Sequence, residues 1–248
     1  MKKIVVVLSM AALSVLLVAT MVFAVAAPGS GIKGTFHDLS KTGATAVAYG
    51  DTAEQAGLDR ICVYCHAPHH TAKLTDSATS GGVQYLPLWN HGVTTQTYTT
   101  YTNGPDDPAD GNHLSAAEAM AGQPGSVSKL CLSCHDGTVA TNQYGFYSSP
   151  SKGAGDKYIS AGRALIGGGG DLTNHHPVGF DYAMVKATDD EIADTTATLG
   201  NYTIGDLLWA GKMECTTCHD VHNTKNTGNK FLWIEDQNSA FCMACHLK

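Results

Sequence analysis

All eight cysteines of the chain fall in CxxC pairs: Cys62/Cys65, Cys131/Cys134, Cys215/Cys218 and Cys242/Cys245. A histidine follows each pair at once: His66, His135, His219 and His246. With 12 His in 248 residues, chance would place one after all four pairs roughly five times in a million, and C-x-x-C-H is the attachment signature of c-type haem. The chemistry needs this spacing. Two thiols add to the two vinyl groups of one porphyrin, and the next imidazole ligates the iron from one face. Two other readings of CxxC are a redox-active pair and half of a Zn(Cys)₄ site. Neither uses the four histidines. The expectation is four covalently bound haem c.

Four irons then need sixth ligands. Outside the motifs stand His37, His69, His70, His91, His113, His175, His176 and His222. Methionine is the other common axial choice, and Met120, Met184, Met213 and Met243 lie beyond the leader, each equally able to fill a core. With twice as many spare histidines as haems, the expectation is all-histidine ligation. Two motifs are extended to CxxCHxxH, over Cys62–His69 and Cys215–His222. The histidine at +3 shares a short turn with the motif histidine, so it cannot reach the opposite face of the same porphyrin. It can reach a haem alongside, or serve as a surface or propionate-bonding residue.

The elements that must position these groups are sparse. Lys2 and Lys3 precede an uncharged run from Ile4 to Ala27 that ends in Ala24-Val25-Ala26, a signal peptide with an A-x-A cleavage site. The rival reading is an uncleaved membrane anchor. The division is a cleaved leader over 1–26 and one tetrahaem domain over 27–248, with no stable membrane span in the mature chain. Removing Lys2 and Lys3 leaves 13 basic against 22 acidic residues, a net of −9, which argues against a nucleic-acid partner. Capping-box patterns at Ser115–Glu118 and Thr188–Glu191 predict short helices, the second stopping at Gly200. A further short helix is expected within Asn238–His246, as on the other motifs. The Gly167–Gly170 run lacks a P-loop lysine and reads as loop punctuation. Long stretches rich in Gly, Ser, Thr, Asn and Asp read as loops. The fold class is therefore mostly irregular and loop-rich, with short α-helices and little β, wrapped around a stack of four haems. "LPLW" (86–89) and "FLW" (231–233) are expected either on porphyrin faces or as ordinary core.

"FHDLS" (36–40), "CVYCHAPH" (62–69), "LPLWN" (86–90), "CLSCHDG" (131–137), "HPV" (176–178), "ECTTCHDVHN" (214–223) and the closing "CMACH" resemble the OmcE-type extracellular tetrahaem cytochromes. That resemblance implies bis-histidine haems, little regular secondary structure and polymerisation into filaments with a continuous haem stack. Carried over residue by residue, it places the distal ligands at His37, His69, His176 and His222, and leaves His70, His91, His113 and His175 at the surface or behind the ligands.

Three function classes compete. One is an electron conduit with every iron six-coordinate. The second is a multihaem reductase, which needs an open iron, often marked by CxxCK; no CxxCK occurs. The third is a gas sensor or haem store. The conduit reading makes this an electron-transfer protein rather than an enzyme, exported to the cell surface or outside the cell. Its expected partners are other copies of itself, head to tail, with further redox cytochromes or extracellular electron acceptors. A soluble periplasmic tetrahaem carrier is the alternative. For the homopolymer, the expectation is that His69 of one copy completes the Cys242/Cys245 haem of the next.

Overall fold

The computed structural model describes residues 31–40, 60–67, 73–75, 83–85, 88–101, 122–142, 157–225 and 230–247. The leader, the Ser115–Glu118 capping box, and His69, His70, His113 and Met120 lie outside them. No helix among the described residues is long and apolar enough to cross a membrane.

Among the described residues regular structure is short wherever it occurs, as the Gly- and Asp-rich sequence requires. A single 3₁₀ turn forms at Cys62–Tyr64. Strand β1 (Lys73–Thr75) pairs antiparallel with β2 (Val83–Tyr85), Lys73 opposite Tyr85. Helix α1 (Ser126–His135) is the longest element described and carries the second motif at its C-terminal end. A 3₁₀ turn at Gly168–Gly170 follows, the loop punctuation expected of the glycine run. Then come α2 (Tyr182–Thr188), the hairpin β3 (Thr198–Leu199) with β4 (Tyr202–Thr203), and α3 (Ile204–Leu207). Helices α4 (Cys215–Cys218) and α5 (Ala240–Met243) are one turn each and carry the third and fourth motifs. The loop-rich, little-β class read from the sequence is the class observed.

The helix expected from Thr188 to Gly200 is not formed. Asp181 caps α2 instead, accepting the Met184 N–H at 3.0 Å, and the helix ends at Thr188. Beyond it the aspartates turn the chain locally. Asp189 Oδ1 accepts the Glu191 N–H at 2.9 Å, and Asp194 Oδ1 accepts the Thr196 N–H at 2.9 Å and Oγ1–H at 2.8 Å. Such side-chain bonds compete with the helix ladder for the same donors. Capping boxes do form at Thr203 with Asp206, opening α3, and at Glu214 with Thr217, before Cys215.

The apolar core is divided. Phe180, Tyr182, Val185, Ala193, Ile204 and Met213 form one cluster, with Cys245 packed against it. Tyr98, Leu132 and Leu172 form a second. Leu130, with Trp89 and Val93, forms a third. Each reaches an attachment motif: Cys245 belongs to the fourth, and Leu130 and Leu132 flank Cys131.

Candidate functional site

Each motif starts from the same local bond. One helical turn brings the histidine N–H back onto the carbonyl of the first cysteine: His66 to Cys62 at 2.8 Å, His219 to Cys215 at 3.0 Å, His246 to Cys242 at 3.0 Å. Three motifs then dock against an extended segment in one register. An antiparallel bridge joins His66 to Trp89, His219 to Leu232 and His246 to Ile192. On one side of each bridge the residue after the histidine donates: Ala67 to Leu88 O at 2.9 Å, Asp220 to Phe231 O at 2.6 Å, Leu247 to Glu191 O at 2.8 Å. On the other side the second cysteine's carbonyl accepts: from Asn90 at 2.8 Å, Trp233 at 3.3 Å and Ala193 at 2.8 Å. Leu88 and Phe231 occupy equivalent places and share left-handed backbone, φ +53° and +54°. The apparent "LW" repeat is thus offset by one residue in space: Trp89 matches Leu232, not Trp233.

The histidines meet in pairs. His37 and His135 have ring centroids 6.1 Å apart, His66 and His222 6.0 Å, and His176 and His246 6.3 Å. An imidazole nitrogen binds a transition metal at about 2.0–2.1 Å, and about 1.1 Å more reaches its ring centre, so two imidazoles across one ion stand about 6.2 Å apart. Each pair joins one motif histidine to one non-motif histidine. Orientation is set by carbonyls. Nδ1 of His135 bonds Ala164 O at 2.7 Å, Nδ1 of His176 bonds Pro177 O at 2.9 Å, and Nδ1 of His219 bonds Lys230 O at 2.8 Å. A held Nδ1–H leaves Nε2 as the ligating atom. Burial first, then repulsion from His135, drives the His37 pKa down to about 4. Burial likewise lowers that of His219. Both rings are therefore kept neutral, the form that binds a metal. His37 also stacks on Phe231, centroids 4.3 Å apart.

Of the four distal candidates, the structure faces His37, His176 and His222 against motif histidines; His69 lies outside the described residues. His222, at +3 from His219, stands opposite His66 of another motif. For His219 no opposing histidine stands among the described residues. At the fourth motif His176 of the same chain stands beside His246, the place that the expectation gives to a second copy's His69.

The sulfurs come close between motifs. The Cys131 and Cys215 sulfurs lie close enough to interact, which raises the Cys131 thiol well above its usual range and lowers that of Cys215. Burial pushes Cys65 up to about 11 and Cys218 up to about 12. No two cysteines are joined in a disulfide, and no cage of three or more His, Cys, Asp or Glu that could hold a bare metal ion occurs among the described residues. Paired cysteines and opposed imidazoles fit haem better than zinc. So does Trp89, whose buried Nε1–H meets no acceptor in the protein, a donor that a haem carboxylate would satisfy.

His91, expected at the surface or behind the ligands, takes the second place. It is buried, 2 % exposed, and its Nδ1 bonds Tyr64 O at 3.1 Å while Nε2 lies 3.3 Å from Cys134 Sγ. It ties the first motif's turn to the second motif's sulfur. "LWNH" gave no signal of this, because the contact spans 43 residues. The buried acids were also missed. Asp136 accepts from Thr94 Oγ1 (2.7 Å), Tyr98 Oη (2.6 Å), and Thr138 N (2.7 Å) and Oγ1 (2.7 Å). Glu214 accepts from Gly125 N at 3.2 Å and from Ser128 Oγ. Asp38 accepts from Gly34 N at 2.9 Å and Ser40 Oγ at 2.5 Å, and Asp220 from His222 N at 3.1 Å and Thr224 N at 2.7 Å. The "HD" dipeptide, present three times, was the available signal.

The family profile of the doubled CXXCH motif matches residues 209–248, which hold the third and fourth motifs. Comparison with curated proteins finds no match. The doubled motif points to a multihaem c-type cytochrome, with covalently bound haem c and a part in electron transfer.

Proposed function

We propose that this chain is an exported electron conduit holding four haems, each ligated by two histidines. The observation that carries the proposal is the set of three histidine pairs at 6.0–6.3 Å, each joining a motif to a non-motif residue. Six-coordinate iron leaves no position for a substrate, which favours conduction over a reductase. Cys62/Cys65, Cys131/Cys134, Cys215/Cys218 and Cys242/Cys245 would hold the porphyrins. His66 with His222, His135 with His37 and His246 with His176 would hold three irons, and His219 with His69 the fourth. The two CxxCHxxH segments would then exchange their +3 histidines, tying the first and third sites together.

When bound, haem supplies one-electron chemistry between iron(III) and iron(II). The chain's part is positional. The antiparallel bridges fix His66, His219 and His246. Backbone carbonyls fix the tautomers of His135, His176 and His219. The Cys131–Cys215 contact brings the second and third attachment points together. Small separate apolar clusters leave porphyrin faces to complete the core, which suits 222 mature residues wrapped on four large apolar plates.

The resemblance of the sequence blocks extends the proposal to an extracellular head-to-tail filament, with His69 supplied from the same chain or the next. A heterologous interface that does not close propagates as a filament. Mass spectrometry of the exported protein should show four covalent haems, and its ferrous spectrum should be unchanged by carbon monoxide. A carbon-monoxide-sensitive iron in the assembled protein counts for the reductase. Electron microscopy of the native material separates filament from periplasmic carrier.

A further inference from the structure

The buried carboxylates of the described residues are unevenly placed. They are Asp38, Asp136, Glu214 and Asp220, each at most 4 % exposed. Asp38 follows His37, Asp136 follows His135, and Asp220 follows His219. Glu214 precedes Cys215, and its charge bears on both the Cys131 and Cys215 sulfurs. The second site is thus flanked by acid behind both of its histidines, and the third by Asp220 and Glu214. The first site is touched once, where Asp220 accepts the His222 N–H. At the fourth site, His246 and His176 are followed by Leu247 and Pro177, and the nearby acids Glu191 and Asp236 are exposed. No Lys or Arg among the described side chains is buried to offset these charges.

A buried negative charge favours the iron state with the larger positive charge, which is the oxidised one, and burial removes the solvent screening that would weaken the effect. Each of these carboxylates accepts from several N–H or O–H donors, which fix it in place. We infer that Asp38, Asp136, Glu214 and Asp220 make the second and third sites the lowest in potential, and leave the fourth site the highest. This inference rests on the conduit reading. Electrons held by the chain then collect first at the Cys242/Cys245 site, and the Cys131/Cys134 and Cys215/Cys218 sites form the uphill stretch of the path. The acids act through the ligands and sulfurs they adjoin and are positioning residues.

The test is a redox titration of the full haem-loaded protein, with each site's signal assigned by paramagnetic NMR. In the wild type the fourth site should reduce first and the second and third last. Glu214→Gln, which alters no iron ligand and no attachment cysteine, should shift the reduced-to-oxidised ratio of those last sites about tenfold toward reduction at fixed potential, about 59 mV for one electron. Asp136→Asn should do the same at the second site. Four haems by mass and indifference to carbon monoxide qualify each variant; should a variant lose haem, the wild-type order still decides. A fourth site that reduces with or after the second, or qualified variants whose last sites do not move, overturns the inference alone. Missing haem or an open iron in the wild type overturns the conduit reading instead.

Discussion

Gly125 shows how narrowly single residues are set around the attachment sulfurs. It precedes α1, and its N–H points at the Glu214 carboxylate. A Cβ built there would lie 2.2 Å from Glu214 Oε1 and 3.0 Å from Cδ. Glu214 cannot retreat freely, because it is fully buried and also accepts from Ser128, whose Oγ in turn accepts the Cys215 N–H at 3.0 Å. Gly125→Ala should therefore cost about 1–3 kcal/mol through overpacking, read as a lower denaturant midpoint. Gly122→Ala is the control: its nearest atom would be 3.9 Å away, and its stability should hold. At the same scale, His91 spends both ring nitrogens on Tyr64 O and Cys134 Sγ, so its role is to hold two motifs together. No carbon-monoxide-binding fraction should appear in His91→Phe, whereas its stability should fall by about 1–3 kcal/mol for the buried groups left unpaired.

At the scale of elements, the repeated unit is the motif turn plus the extended segment bridged to it. Regular helices are too short to hold a ligand: α4 and α5 are four residues each, below the length at which a helix is stable alone. The bridges supply what the helices lack. Ala193 is the clearest place to break one, since its N–H donates to Cys245 O and its side chain sits in the largest apolar cluster. Ala193→Pro removes that donor and should cost about 3 kcal/mol or more. Because the bridge locates His246, the expected optical signature is carbon monoxide binding at one iron. A variant with unchanged stability and no such fraction would mean that the cysteines alone hold the fourth motif in place.

At the scale of the whole molecule, the histidine pairs join distant parts of the chain. His37 reaches His135, His222 reaches His66, and His176 reaches His246. The N-terminal segment is locked across the third motif, where Asn223 Nδ2 donates to Gly31 O at 2.8 Å. His176→Ala should open the fourth iron even in isolated subunits, since the residue opposite His246 belongs to the same chain. His69→Ala should open the third iron, opposite His219. Carbon monoxide titration of the two variants, with the reacting haem identified by NMR, distinguishes these assignments. A carbon-monoxide-binding fourth haem in His69→Ala would restore the earlier pairing of His69 with that site.

The sequence by itself determined the attachment chemistry. Cys-x-x-Cys-His is a local pattern, one helical turn long, and its meaning does not depend on the rest of the chain. The loop-rich class was legible too, because glycine, aspartate and threonine compete with regular structure through local bonds. Even so, the capping box at Thr188 misled: Asp189 and Asp194 captured the N–H groups that a helix would have used. Which histidine faces which motif was decided only by tertiary structure. His37 lies 98 residues before His135, and nothing in the spacing of the chain ranks it above His91. The buried acids and the sulfur contact between Cys131 and Cys215 are of the same kind. Burial there depends on distant segments packing together, as in the 42 residues between Thr94 and Asp136 and the 89 between Gly125 and Glu214, and a charge that reads as solvated surface in the sequence becomes an interior charge only once those segments meet.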